Sequence, residues 1–197
     1  MNTKKMLLIL VAVLAVAGYV LLQTDAAEIN PGLNTQYSTF SSSELGIEFS
    51  YRSGPQGYVL EESAPADAQA GLVKVLTLIR AEDASREMPV GGEGPAIMAV
   101  HIFENPQKQW PQMWADTHIP YSNINLKTGD VSETTVGGAN AIRYIADGLY
   151  ASENAVVAHG DSIYVITGQF LDKDSDIRRD FQPLLESIRF ISKPGQE

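Results

Sequence analysis

The triplet Gly160-Asp161-Ser162, in "GDSIY" (160–164), has the residue types that open a GDSL-type hydrolase motif, a serine nucleophile beside a tight turn. That chemistry needs a base, supplied in such enzymes by a later Asp-x-x-His, and no histidine follows Ser162. A Gly-x-Ser-x-Gly elbow is also missing, so the triplet fits a hairpin turn better than a nucleophile. The segment "DKDSD" puts Asp172, Asp174 and Asp176 at positions 1, 3 and 5 of a calcium loop. Position 6 of that loop is Ile177 instead of glycine, and position 12 is Pro183 instead of glutamate. An acidic helix cap is the preferred reading over Asp172–Asp176, with weak metal binding as the alternative.

Three histidines, His101, His118 and His159, lie far apart and show neither His-x-His nor His-Glu-x-x-His spacing. A small hydrolase or metal-dependent enzyme would have to gather His101, His159 and scattered carboxylates through the fold. Tyr144, Tyr150 and Tyr164 fall on adjacent strand segments, where cross-strand packing competes with the lining of a ligand cleft. The run "GGEGP" (91–95) lacks the Lys-Ser/Thr of a phosphate loop and suits a flexible tip. The absence of cysteine excludes disulfides, thiolate metal sites and a cysteine nucleophile. No catalytic, cofactor or metal residue is assigned, and no cofactor is expected.

The remaining candidates are contact residues. Trp110 and Trp114 sit four apart, and tryptophans on a short helix are common binding anchors, with core packing as the competing reading. The segment 80–95, "RAEDASREMPVGGEGP", is too long for a tight connection and too polar for the interior. It is expected as a mobile surface loop, and Arg86 and Glu93 are its candidate contact residues.

The elements that must position these groups follow from periodicity. "QYSTF" and "GIEFSY" suggest a first hairpin, and "YVLEE" a further strand. "GLVKVLTLI" (71–79) and "AIMAVHIF" (96–103) are apolar on both alternating faces, which demands cover on both. In the first, alternation puts Leu72, Leu76 and Leu78 on one side. A short helix is expected over 111–118, with Trp110, Met113, Trp114 and Thr117 on one face. From Val131 onward the pattern is an antiparallel meander turning at Gly160-Asp161. Ile177, Phe181, Leu184, Leu185 and Ile188 then form one helical stripe, with Asp174 or Ser175 able to cap it, before "IRFI" returns to the sheet as a last strand.

At the N-terminus, Lys4 and Lys5 precede an uncharged apolar run over 6–22, the plan of an export signal. The run is about 25 Å long as a helix, at the short edge of what spans a bilayer. Residues 1–27 are therefore a signal peptide or, given the length of the run, a signal anchor. Residues 28–35 form a linker, 36–192 a single domain and 193–197 a tail. The chain is 197 residues long with a net charge of −10, a balance that repels phosphate backbones and argues against nucleic acid. The expected place is the outer face of the cytoplasmic membrane, the periplasm or the extracellular space.

The stretches "YSTFSSSELGIEFSYRSG", "VGGANAIRYIA", "VVAHGDSIYVITGQF" and "LLESIRFI", taken in order, resemble the PsbP/Mog1-like α/β/α sandwich family, in particular its small exported bacterial members. The resemblance spans roughly 37–191. It implies an α+β fold, a mainly antiparallel central sheet with helices on both faces. Its members serve mostly as binding or accessory subunits, which implies a non-catalytic module engaging another cell-envelope protein. An enzyme with a fold-assembled site, or a carrier of a small apolar ligand, is the alternative. No residue roles transfer, because no diagnostic motif of the family is present.

Overall fold

A computed structural model describes residues 36–65, 71–86 and 93–193. The expected signal or anchor (1–27), the linker (28–35) and positions 194–197 of the tail lie outside these residues. In the described residues the strands are β1 (Gln36–Ser42), β2 (Ile47–Ser53), β3 (Tyr58–Ser63), β4 (Leu72–Arg80), β5 (Met98–Glu104), β6 (Ser132–Val136), β7 (Ala139–Asp147), β8 (Ala151–His159), β9 (Ser162–Phe170) and β10 (Arg189–Phe190). The helices are α1 (Ala81–Ala84), α2 (Pro111–Thr117), α3 (Ile119–Ser122) and α4 (Asp176–Ser187), with a 3-10 turn at Ile124–Leu126.

Seven strands form one antiparallel sheet in the order β3-β4-β5-β9-β8-β7-β6, and β1-β2-β10 form a second, smaller one. Alternation along the strands divides the interior into two layers. On one face Leu76, Leu78, Val100, Ile102, Val157 and Ile166 pack with Ile47 and Phe49 of β2 and with the α4 residues Ile177, Phe181, Leu184 and Leu185. On the other, Phe103, Ile142, Val156, Ile163 and Val165 pack with Trp114, Ala115 and Ile124. The fold is thus α+β with helices on both faces of the large sheet, as the strand pattern requires.

The stripe of α4 is buried as its spacing predicts, with Pro183 on the exposed side. Ser175, one of the two expected caps, accepts a hydrogen bond from the Arg178 N–H at 3.4 Å. Gly168 on β9 lets the helix come close, since a Cβ there would lie 2.6 Å from the Phe181 ring. At the other end of α4, the Ser187 hydroxyl accepts from the Ser50 N–H at 2.9 Å, which pins the helix to β2.

Three local expectations need correction. The last strand does not extend the main sheet: β10 pairs Arg189 with Glu48 and Phe190 with Ile47 of β2. Both sheets are apolar on the facing side, and α4 delivers the chain to the smaller one. Leu72 does not share a face with Leu76 and Leu78, because the register shifts between Leu72 and Lys74. That bulge turns Leu72 to the α2 side, while Leu76 and Leu78 stay on the α4 side. The segment 80–95 starts at Arg80, the last residue of β4, and runs directly into α1 at Ala81–Ala84, and its positions 87–92 lie outside the described residues.

Candidate functional site

Helix α2 does not use its apolar residues on a single face. Pro111, Trp114 and Ala115 point inward, while Trp110 and Met113 point out, and Thr117 spends its hydroxyl on the Met113 carbonyl at 3.0 Å. Trp114 is only 1% exposed. It lies 4.7 Å from the Phe103 ring and stacks on His118 at 4.3 Å, so it is a core residue and cannot be an exposed contact. Trp110, by contrast, is 44% exposed and Met113 57%. The expected stripe had the helix but the wrong rotation: Trp114 packs on Phe103, Pro111 and Ala115 are buried with it, and Trp110 and Met113 stay exposed.

Arg86 and Glu93 are both exposed, and Arg86 reaches Asp83 at 3.2 Å. They flank the end of β4 and the start of β5, whereas Trp110 follows the end of β5. Strands β4 and β5 are antiparallel, so the two expected contact regions lie at opposite ends of that pair, about 20 Å apart along seven residues. They do not form one surface.

The Trp110 end holds a cleft that the sequence pattern did not reveal. The β1–β2 turn, the end of β5, the β8–β9 turn and the segment after β10 converge there. Two adjoining hollows, of about 530 and 270 Å³, share Asp161 and Lys193 as walls. Lys193 donates from its Nζ to the Ser162 Oγ at 2.7 Å. The Tyr164 hydroxyl donates to the Leu45 carbonyl at 2.8 Å, closing the floor. Gly46, at φ +71°, lies under both: a Cβ there would sit 3.0 Å from Lys193 and 3.1 Å from the Tyr164 hydroxyl. His159 stacks on Phe190 with ring centres 4.5 Å apart. Burial, and then the positive charge of Lys193, hold its imidazole below the ordinary histidine range.

Asn105 ties the cleft to Trp110. Its backbone N–H donates to the Asp161 carbonyl at 2.7 Å, while its side chain accepts from the Gln109 N–H at 2.9 Å and donates to the Gln109 carbonyl at 3.1 Å. Pro106 lines the cleft, and Trp110 emerges from the far end of the same loop. Cleft wall and exposed tryptophan are therefore held as one unit.

The other sequence candidates fall elsewhere. His101 is in register with Val165 on the α2 side of the sheet, and His159 lies on the α4 side with Tyr164, so the fold keeps these two histidines on opposite faces. Burial pushes the His101 imidazole below its ordinary range, and its Nδ1 has no hydrogen-bond partner among the described residues. Tyr144 donates to the Ser122 carbonyl and Tyr150 to the Gly94 carbonyl, so with Tyr164 the three tyrosines tie down three separate segments and share no cleft. Asp176 is held by Arg80 and Arg179, with Arg52 at 3.3 Å, which turns it away from a calcium loop. Burial opposes its ionisation, but the Arg179 and Arg80 contacts outweigh that and hold its carboxyl below the usual range. Ser162 does sit beside the predicted turn, 2% exposed with its hydroxyl on Lys193. Lys193, assigned to the tail, had no signal in sequence: only the return of α4 through β10 brings it to Ser162.

No protein-family model matches the sequence, and no curated protein does. Among solved structures, the chain is similar to cyanobacterial PsbP (CyanoP) from Synechocystis sp. PCC 6803, at 13% identity over 82% of this chain and 95% of that one, with a TM-score of 0.52. It is also similar to a protein from Bacteroides thetaiotaomicron VPI-5482, at 9% identity over 81% of this chain and 50% of that one, with a TM-score of 0.47. The fold is PsbP-like, as the order of sequence stretches implied.

Proposed function

We propose that the protein is a non-catalytic binding or accessory module, tethered on or exported to the outer side of the cytoplasmic membrane, that engages another cell-envelope protein. The observation that carries this reading is the exposed pair of Trp110, the residue before α2, and Met113 of α2, while the other face of that helix is committed to the core. The Asn105 hydrogen bonds fix the Gln109 backbone next to Trp110, and an exposed tryptophan on a fixed backbone is an apolar anchor of the kind that dominates binding energy. The cleft next to it mixes Leu45, Val73 and Ile102 with Glu44, Glu104 and Asp161, a lining suited to a partner's side chains. The PsbP-like fold supports the non-catalytic reading by analogy, and the N-terminal sequence pattern supports export. Arg86 and Glu93 belong to a second, separate contact region in this reading.

The test is a gentle affinity purification of the full-length protein from its native membranes, analysed by mass spectrometry for proteins and small molecules. The expected result is a stoichiometric envelope protein that is lost with Trp110→Ala and Met113→Ala together. A clean preparation carrying a bound metal or small molecule, with no protein partner, overturns the reading in favour of an enzyme or a carrier.

A further inference from the structure

The two sheets present three long edge strands among the described residues, β3, β6 and β1. Exposed strand edges invite pairing with other chains, and proteins guard them with charge, proline, bulges or short length. β3 carries exposed Glu61 and Glu62, and β6 carries exposed Glu133. β1, "QYSTFSS", has no charged residue and no proline, and it pairs with β2 over all seven positions without a register shift. Among the described residues nothing guards it, in a chain of net charge −10.

The apolar layer beneath it also stops short. Phe40 packs on the fully buried Phe49 with ring centres 5.3 Å apart, and Tyr51 lies 6.2 Å from Phe49, yet Phe40 and Tyr51 are only half-buried. The pattern of β1 indicates what continues it. Ser38, Phe40 and Ser42 share the inward-leaning face, while Thr39 and Ser41 are exposed. On that inward face the strand reads Ser-Phe-Ser in either direction.

We infer that β1 is a self-pairing edge, joining two copies of this chain antiparallel about a two-fold axis at Phe40. Phe40 then faces Phe40 of the partner subunit, Ser38 faces Ser42 of the partner subunit, and Thr39 faces Ser41 of the partner subunit. Aromatic pairs directly across an antiparallel ladder are favourable, and this pairing opposes no charged side chains. Each of β3 and β6 would instead bring exposed glutamates into the contact. The contact is isologous and uses each β1 once, so assembly closes at two copies. Because each copy is strongly acidic, pairing tightens with salt as the Debye length shrinks from about 10 Å at 0.1 M to about 3 Å at 1 M. The inference is independent of the envelope-partner reading, which concerns the Trp110 end.

Sedimentation of the full-length protein in mild detergent, at about 0.1 M and about 1 M salt, tests it. The expected mass is that of two copies, with the dimer fraction rising with salt. Thr39→Glu combined with Ser41→Glu is expected to return it to a monomer with an unchanged circular dichroism spectrum. As the chain has no cysteine, a second measurement stands apart from that variant. Thr39→Cys protein mixed with Ser41→Cys protein and oxidised is expected to give several-fold more disulfide-linked dimer than either variant alone, because those positions face each other. A monomer at both salt concentrations, a dimer indifferent to the two glutamates, or equal cross-linking in the mixed and single samples would each overturn the inference. So would amide protection of β1 that arises only when a different protein is added.

Discussion

Helices α4 and α2 pack on opposite faces of the large sheet, and they differ in what they leave exposed. Helix α4 commits its whole apolar stripe to the core, is capped by Ser175, and is fastened by Ser187 and by a group of charges around Asp176 and Asp180. Helix α2 has seven residues and no side-chain cap, and it divides its apolar residues between core and solvent. A helix optimised only for stability would resemble α4. In the function proposed above, the exposed half of α2 is the contact, whereas the apolar stripe of α4 is buried in the core.

The largest effects come from emptying either core. Phe181→Ala and Trp114→Ala should each lower unfolding free energy by about 3–5 kcal/mol in urea titrations, since both rings are fully buried. If Trp114→Ala costs nothing, α2 is not part of the folded unit and the comparison fails. Gly168→Ala should cost about 1–3 kcal/mol, because its methyl would meet the Phe181 ring and lift α4 from β9.

Next come the charges at the start of α4. The Asp176 carboxyl titrates below its unfolded value, so its contribution is present above the unfolded pKa and is lost as pH falls through the folded one. Asp176→Asn should cost about 1 kcal/mol or less at pH 7, because the group is partly exposed, and should flatten the acid limb of a stability–pH curve.

His159 has the same pH direction for a different reason. Its folded pKa is depressed, so the unfolded imidazole takes up a proton first, and stability declines as pH falls below the ordinary histidine value. Lys193→Ala should move the folded His159 titration upward in an NMR pH series by removing one of its two causes. An unmoved titration would place Lys193 away from the cleft. The smallest effect on stability belongs to Trp110→Ala, within about 0.5 kcal/mol, with the loss appearing only in partner binding. A large stability loss there would make Trp110 structural and erase the difference between the helices.

The parts legible in the sequence were those with a strong local period. The meander of β6–β9 and the first hairpin were legible as elements, from short apolar runs between turn residues, and the α4 stripe repeats its apolar residues often enough to assign its buried side as well. Helix α2 was legible as a helix but not in its rotation, because within one or two turns Trp110, Met113, Trp114 and Thr117 make as regular a face as Pro111, Trp114 and Ala115. The turn at Gly160-Asp161 was legible; the contact between Ser162 and Lys193 was not.

By itself, then, the sequence determined the class of fold, the antiparallel order of its second half, the absence of thiol chemistry and the acidic character of the surface. The class of fold was implied by the resemblance of the ordered stretches to a known family, and the rest follows from composition and from local apolar patterns. Only the tertiary structure decided which sheet β10 joins, which face Leu72 occupies, which tryptophan is exposed and what lines the cleft. Each of these depends on contacts between residues remote in the chain, such as Gly46 with Lys193 or Phe103 with Trp114. Local pattern proposes several placements for such residues, and packing against distant partners selects one.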